Sequence, residues 1–211
     1  FSSMMTSPAS IGTISLTHGK RIAFASADGY VYLVDSAFAP MPGFPILVSE
    51  EVSNSPALAD IDGDGQKDII IFGSNKIFAI NAAGAVLDNF PIPVTTDKTI
   101  LTSPIVADID GNGIVDIIGV TQEGLVFAYD KTGKMARGFP LLAGINGGST
   151  PAAFGFRDGR CGTTVALAVA SDDGYVYAWR TGYVGCDAVD VPYDWQAPWP
   201  RHGRYPSPSP L

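Results

Sequence analysis

One nine-residue stretch organises this chain: Asp60-Ile61-Asp62-Gly63-Asp64-Gly65-Gln66-Lys67-Asp68. Its four carboxylates stand at positions 1, 3, 5 and 9 and would repel one another unless a cation lay between them. Calcium accepts about six to eight oxygen ligands, and a glycine at position 6 allows the sharp turn around an ion. The apolar run at 69–72 that follows is typical of a buried strand. The stretch therefore predicts a strand, a calcium loop and a second strand.

The same pattern occurs again 48 residues later, in Asp108-Ile109-Asp110-Gly111-Asn112-Gly113-Ile114-Val115-Asp116. Asn112 takes the place of the third carboxylate, and its amide oxygen is also a calcium ligand. A single loop of this composition is compatible with an ordinary polar turn. Two copies with the same placement of oxygen atoms favour two calcium sites.

The loops belong to repeated units of nearly constant length. The four units open at Ser7-Pro8-Ala9, Ser55-Pro56-Ala57, Ser103-Pro104-Ile105 and Thr150-Pro151-Ala152. Each unit continues with two apolar segments around a loop, a tight turn and a third segment rich in aromatic and β-branched residues. Turn pairs such as Asp28-Gly29 predict hairpins. The Phe-Pro pairs that end units one to three predict an outermost strand, because proline lacks an amide donor.

Four-stranded units of this length are typical of β-propeller blades. We therefore predict an all-β fold, a β-propeller built from four four-stranded blades, alone or as part of a larger propeller or assembly. The alternating large residues of the third strands are expected to form the core between blades. The domain is expected to cover residues 1–200, with a proline-rich tail at 201–211. The blades are expected at about 4–51, 52–98, 99–146 and 147–200.

The composition argues against several classes of function. The chain of 211 residues has a formal net charge of −8, and seven of its aspartates lie in the two loops. No basic run indicates nucleic-acid binding, and no apolar run approaches the ~20 residues of a membrane span. Only His18 and His202 could act as neutral-pH bases, and no catalytic motif is present. We therefore expect a protein that is not an enzyme.

The repeats resemble the FG-GAP/VCBS-type repeats, which form the blades of integrin α-subunit-like propellers and of many bacterial surface proteins. The resemblance rests on Ser55–Asp68 and Ser103–Asp116 and extends over roughly residues 4–182. It implies that each loop binds calcium through the side chains at positions 1, 3, 5 and 9 and the carbonyl at position 7. The implied ligands are Asp60, Asp62, Asp64, Gln66 and Asp68 in the first loop, and Asp108, Asp110, Asn112, Ile114 and Asp116 in the second.

Units one and four depart from the loop pattern. Aligned without gaps, the four acidic positions of the first loop become Gly12, Ile14, Leu16 and Lys20 in unit one. Unit four keeps a single acid, Asp158, between Arg157 and Arg160. Neither unit is expected to bind calcium.

These features predict a calcium-stabilised extracellular or cell-surface propeller that acts as a non-enzymatic binding, adhesion or assembly module. One alternative is a subunit of an extracellular fibre or surface layer. Another is the propeller domain of a secreted enzyme such as a lyase or a quinoprotein. Two cysteines in an exported chain indicate a disulfide between Cys161 and Cys186, the alternative being two buried thiols.

Closure of the propeller is a separate question. Unit one already contains its own strands, and the outer strand of blade four is expected near Trp195 to Pro200, so no strand exchange closes a ring. Because the chain begins with Phe1 rather than Met, we expect a processed chain or a fragment. We therefore expect another polypeptide, either a second copy or a partner chain, to pack on an open face of blade one or blade four.

Overall fold

The fold is described from a computed structural model of the chain. The structure describes residues 7–14, 19–48, 50–94, 99–144, 149–157 and 162–184. Within these ranges the chain forms fifteen β-strands and no helix. The all-β class predicted from the sequence is therefore confirmed.

The strands form four antiparallel sheets that follow one another along the chain. Blade one contains β1 Ser10–Thr13, β2 Lys20–Ala25, β3 Tyr30–Val34 and β4 Ile46–Leu47. Blade two contains β5 Ala57–Ala59, β6 Asp68–Phe72, β7 Lys76–Ile80 and β8 Ile92–Pro93. Blade three contains β9 Ile105–Ala107, β10 Asp116–Val120, β11 Leu125–Asp130 and β12 Leu141–Leu142. Blade four contains β13 Ala152–Phe156, β14 Thr163–Ala170 and β15 Val176–Val184.

The predicted turn residues lie where strands reverse or begin. Gly29, Gly124 and Gly174 connect the second and third strands of their blades with φ between 80° and 85°, a conformation that glycine adopts without strain. The short outer strands β4, β8 and β12 each begin directly after a cis Phe-Pro peptide bond. Proline thus precedes the outermost strand, as the missing amide donor predicted.

The core lies between the blades. The sheets of successive blades pack face to face through three clusters of buried apolar side chains. Between blades two and three, the rings of Phe72 and Phe127 meet edge to face, with their centroids 5.5 Å apart. Gly119 leaves room for them, because a Cβ on this residue would lie 2.5 Å from Phe127 and 2.6 Å from Phe72. The large residues of alternating strand positions therefore form interblade core, as predicted.

The first strands of neighbouring blades contact one another in sequence, β1 with β5, β5 with β9 and β9 with β13. This arrangement, with four consecutive antiparallel sheets packed face to face, is that of propeller blades. The described strands of blades one and four make no comparable contact. The outer strand expected near Trp195 and the tail at 201–211 lie outside the described residues, as do His18, His202, Cys161 and Cys186.

The gap-free alignment of unit one is wrong by one residue. In blade one Ser10 pairs with Ala23, as Ala57 pairs with Ile70 in blade two. Thr13 and Arg21, rather than Gly12 and Lys20, therefore take the places of Asp60 and Asp68. Ile14 takes the place of Ile61, and both side chains are buried. The buried isoleucine sets this register, whereas the Ser-Pro pairs that guided the alignment lie outside the strands; Leu16 is not among the described residues.

Candidate metal centre

Each acidic loop is held between two paired strands. The first loop connects β5 to β6 and the second connects β9 to β10. The last acid of each loop is also the first residue of the following strand, where Asp68 pairs with Ala59 and Asp116 pairs with Ala107. The antiparallel pairing therefore brings the two ends of each loop together and places the last acid opposite the residue that precedes the first.

Three carboxylates of each loop converge. One oxygen from each carboxylate at positions 1, 3 and 9 lies within 4.8 Å of the other two. These groups are Asp60, Asp62 and Asp68 in blade two, and Asp108, Asp110 and Asp116 in blade three. Asp64, at position 5, lies outside the first group. The structure thus brings together three of the predicted acidic side chains in each loop.

Backbone amides orient the loop side chains in the same way in both blades. The amide of position 6 donates to the position-1 carboxylate at 2.9 Å in both loops. The backbone amide at position 5 donates to the side-chain Oδ1 at position 3. The backbone amide at position 7 likewise donates to the side-chain Oδ1 at position 5. The glycines at position 6, Gly65 and Gly113, have φ of 84° and 85°, and a Cβ added to either would meet nothing within 4 Å. Glycine is therefore needed here for its conformation rather than for space.

The position-9 carboxylates are buried and costly to ionise. Burial raises the pKa of Asp68 to about 6, and the charges of Asp62, Asp64 and Asp60 add to the shift. Burial likewise raises the pKa of Asp116 to about 7, helped by Asp110, Asp108 and Asp130. Hydrogen bonds from the amides at position 2 oppose both shifts. Each loop therefore holds a carboxylate whose charge lacks compensation within the protein.

Asp116 shows this lack of compensation most clearly. The residue is 0 % exposed, and its Oδ2 accepts a hydrogen bond from the Ile109 amide at 3.1 Å. Its Oδ1 is buried and has no hydrogen-bond partner. Buried polar atoms are nearly always paired, so an orphaned carboxylate oxygen beside two other carboxylates points to a cation. The donors are all oxygen atoms, which suits a hard ion such as calcium.

The raised pKa values predict how the stability of the metal-free protein changes with pH. Asp68 and Asp116 hold their protons to higher pH when folded than when unfolded, so their contribution to stability is present near pH 4 and is lost as pH rises to about 7. We expect the melting temperature in chelator to fall over this window. Calcium requires ionised carboxylates, so the trend in saturating calcium should reverse. Thermal melts from about pH 4.5 to 7.5 measure both trends. Melting temperatures that change in parallel with pH in chelator and in calcium would contradict cation binding by these carboxylates.

Two residues outside the nine-residue pattern also contact the loops, and neither was predicted from the sequence. The backbone amide of Arg137, in the connection between β11 and β12, donates to Asp110 Oδ2 at 3.0 Å. The Nζ of Lys131 donates to the backbone carbonyl of Asp62 at 2.8 Å. Both residues are distant from the loops in sequence, and no local signal marks them. The fold of blade three brings Arg137 to the second loop, and packing of blade three on blade two brings Lys131 to the first.

Comparisons with known proteins agree with this fold. Residues 60–119 match the family model of the FG-GAP-like repeat, and no curated protein matches the chain. The structure of BBS1N in complex with ARL6DN is 15% identical with a TM-score of 0.59, and the match covers 90% of this chain and 55% of that chain. BamB from Moraxella catarrhalis is 15% identical with a TM-score of 0.58, and the match covers 85% of this chain and 47% of the BamB chain.

Both of these solved structures have β-propeller folds. The likeness to them shows that the chain has a β-propeller fold, and the stretch that matches the FG-GAP-like repeat runs from the loop of blade two to β10 of blade three. The chain spans about half the length of the solved chains that it matches. In the part of the chain that is described, no helix has the length and apolar character needed to cross a membrane.

Proposed function

We propose that the chain is a calcium-stabilised extracellular propeller that acts as a non-enzymatic binding, adhesion or assembly module. The observation that carries this proposal is the convergence of three carboxylates in each of two successive blades, with Asp116 Oδ1 buried and unpaired. The converging carboxylates are the primary ligands of the two proposed sites. Asp64 and Asn112 at position 5, with the carbonyls of Gln66 and Ile114, would complete the oxygen ligands. Bound calcium would neutralise the clustered charge and join the two ends of each loop.

The proposed location follows from the chemistry of such sites. Short acidic loops that bind calcium with modest affinity are filled where calcium is plentiful, as it is outside cells. A disulfide between Cys161 and Cys186, which remains a prediction, would suit the same compartment. Calcium binding only to the folded state would add to stability by linkage. The ions would therefore serve the fold rather than a reaction.

A non-enzymatic role is supported by where the perturbed groups lie. The two carboxylates with strongly raised pKa, Asp68 and Asp116, belong to the cation loops. Once they are ligands they cannot serve as acid or base. The secreted-enzyme alternative requires a bound cofactor or a separate catalytic cluster. An absorbance spectrum of the purified protein tests it, since a quinone cofactor absorbs where an unmodified polypeptide does not.

The proposed partner is another polypeptide that packs on a terminal blade. Large apolar side chains are exposed on both terminal blades: Ile11 is 66% exposed in blade one, and Phe154 is 47% and Val176 51% exposed in blade four. Apolar residues on a sheet face are a recurrent feature of protein interfaces. BBS1N, which shares the propeller fold, was solved in complex with another protein. A fibre or surface-layer subunit is the special case in which the partner is a further copy.

Light scattering in calcium tests this part of the proposal. Growth of particle size with protein concentration supports self-assembly. A monomer that forms a defined complex with a second protein of the same source supports a partner chain. A monomer at micromolar concentration, whose small-angle scattering fits a closed four-bladed disc, would contradict both.

The two loops should differ in affinity. The first loop has four carboxylates and the second has three, because Asn112 replaces the acid at position 5. Ligand charge is one determinant of calcium affinity, so the first loop should bind more tightly. Asp64→Asn equalises the charge of the loops and should narrow the difference. Calorimetry on variants that retain one functional loop measures both constants, and a tighter second loop would show that burial outweighs charge.

A further inference from the structure

The loop of blade two is contacted by the blades on both sides. Lys131, directly after β11 of blade three, reaches across the interface and donates from Nζ to the carbonyl of Asp62 at 2.8 Å. On the other side, the amide of Lys67 donates to the carbonyl of Ile14 in blade one at 2.9 Å. The first loop is therefore bonded to both neighbouring blades through atoms that are not themselves carboxylate ligands.

The loop of blade three is contacted by blade four at the same loop position. A Cβ on Gly182, in β15, would lie 2.5 Å from the carbonyl carbon of Asp110 and 2.8 Å from the amide of Gly111. Only glycine allows β15 to pass this close to the loop backbone. At this position the second loop is buried, since Asp110 is only 4% exposed, whereas its counterpart Asp62 is exposed.

The two contacts are equivalent by their place in the blades. Lys131 follows Tyr129 by two residues, and Gly182 follows Trp179 by three. Tyr129 pairs with Ile117 in the central strand of blade three, and Trp179 pairs with Leu167 in that of blade four. In both cases, then, the end of the third strand of one blade presses on position 3 of the cation loop of the preceding blade. The contact therefore occurs at both loops, although Lys131 makes it at the first loop and Gly182 at the second.

We propose that the cation loops are interblade clamps, in which cation binding in one blade and docking of the next blade stabilise each other. This proposal rests on the calcium sites proposed above. Asp62 and Asp110 each contribute one carboxylate to the converging group, and the backbone of the same residue is what the next blade contacts. A ligand that fixes this residue orders the surface on which the next blade docks. Coupling of this kind is reciprocal, so the docked blade must also raise the affinity of the loop.

Hydrogen exchange with and without calcium tests the clamp. The amides at 131–132 in blade three and 180–182 in blade four belong to no loop ligand, yet calcium should slow their exchange about tenfold or more, because opening would then require release of the cation. Asp68→Asn should abolish the slowing of exchange by calcium at 131–132 and keep it at 180–182. Asp116→Asn should abolish the slowing at 180–182 and keep it at 131–132. Each variant is thus the control for the other.

Gly182→Ala tests the reciprocal direction. The added methyl group should displace Asp110 and lower the calcium affinity of the second loop by about tenfold, while the first loop keeps its affinity. Gly155→Ala is the matched control in the same blade, because its Cβ would meet chiefly the Thr163 side chain, at 2.7 Å. Unchanged affinity in Gly182→Ala would overturn the clamp. If that variant does not fold, the exchange pattern of the two loop variants decides.

The outcomes separate the clamp from the calcium sites. Absence of calcium binding in wild-type protein would overturn the proposed sites and the clamp with them. Calcium binding whose protection stays within residues 60–68 and 108–116 would overturn the clamp alone. Protection that crosses to the next blade and follows the crossed pattern of the two variants would support both.

Discussion

Asp116→Asn is expected to stabilise the metal-free protein and to remove the response of blade three to calcium. Asn keeps an oxygen that can accept the hydrogen bond from the Ile109 amide but removes a buried charge that lies beside Asp108 and Asp110. Because the variant no longer buries this uncompensated charge, its free energy of unfolding in chelator above pH 7 should increase by about 1–3 kcal/mol. In calcium, the variant should lose the linkage contribution of its site, which is about 2.7 kcal/mol when calcium is 100-fold above the dissociation constant.

Thermal melts in chelator and in saturating calcium measure both effects. Asp172→Asn is the matched control, since the same substitution is then made at an exposed turn residue of blade four, outside either loop. This control should change neither melting temperature appreciably. If Asp116→Asn lowers stability equally in chelator and in calcium, the Asp116 carboxylate does not act through a bound cation and the cation assignment fails.

Phe72→Ala is expected to cause a large loss of stability at the interface between blades two and three. Phe72 is 0 % exposed and packs its ring against Phe127 and over Gly119 of the next blade. Truncation of a buried phenylalanine costs about 3–5 kcal/mol, through lost burial and the cavity that remains. Because the ring lies between the two blades, the loss should weaken their association as well as blade two itself.

Denaturant unfolding of the variant measures this loss. Leu142→Ala provides the comparison, because Leu142 is 64% exposed on the outer strand of blade three and its removal should cost no more than about 0.5 kcal/mol. Equal effects of the two substitutions would contradict the assignment of the core to the space between the blades.

The blades could be predicted from the sequence because their signals are local. Alternating apolar residues predicted the strands, pairs such as Asp28-Gly29 predicted the hairpins, and Phe-Pro predicted the outer strands. The acidic loops were equally recognisable, since carboxylates at alternate positions around glycine supply oxygen ligands of the kind that calcium binds. In each case, neighbouring residues alone determine the conformation.

Features that depend on pairing or packing were not predictable in the same way. The register of unit one is fixed by burial of Ile14 and by strand pairing, and the Ser-Pro landmark misplaced it by one residue. The sequence pattern predicted Asp64 as a metal ligand but did not show that its carboxylate lies outside the converging group. The contacts of Lys131 and Gly182 join segments that are distant in sequence. Only the packed blades bring these residues to the loops.

Calorimetric titration of calcium into metal-free wild-type protein tests the proposed calcium sites most directly. We expect two bound ions per chain, one at each converging group of carboxylates, with one site lost in Asp68→Asn and the other lost in Asp116→Asn. The titration should be run above about pH 7, where both carboxylates are ionised. Absence of binding at millimolar calcium, or binding that both variants retain in full, would contradict the assignment of these loops as calcium sites.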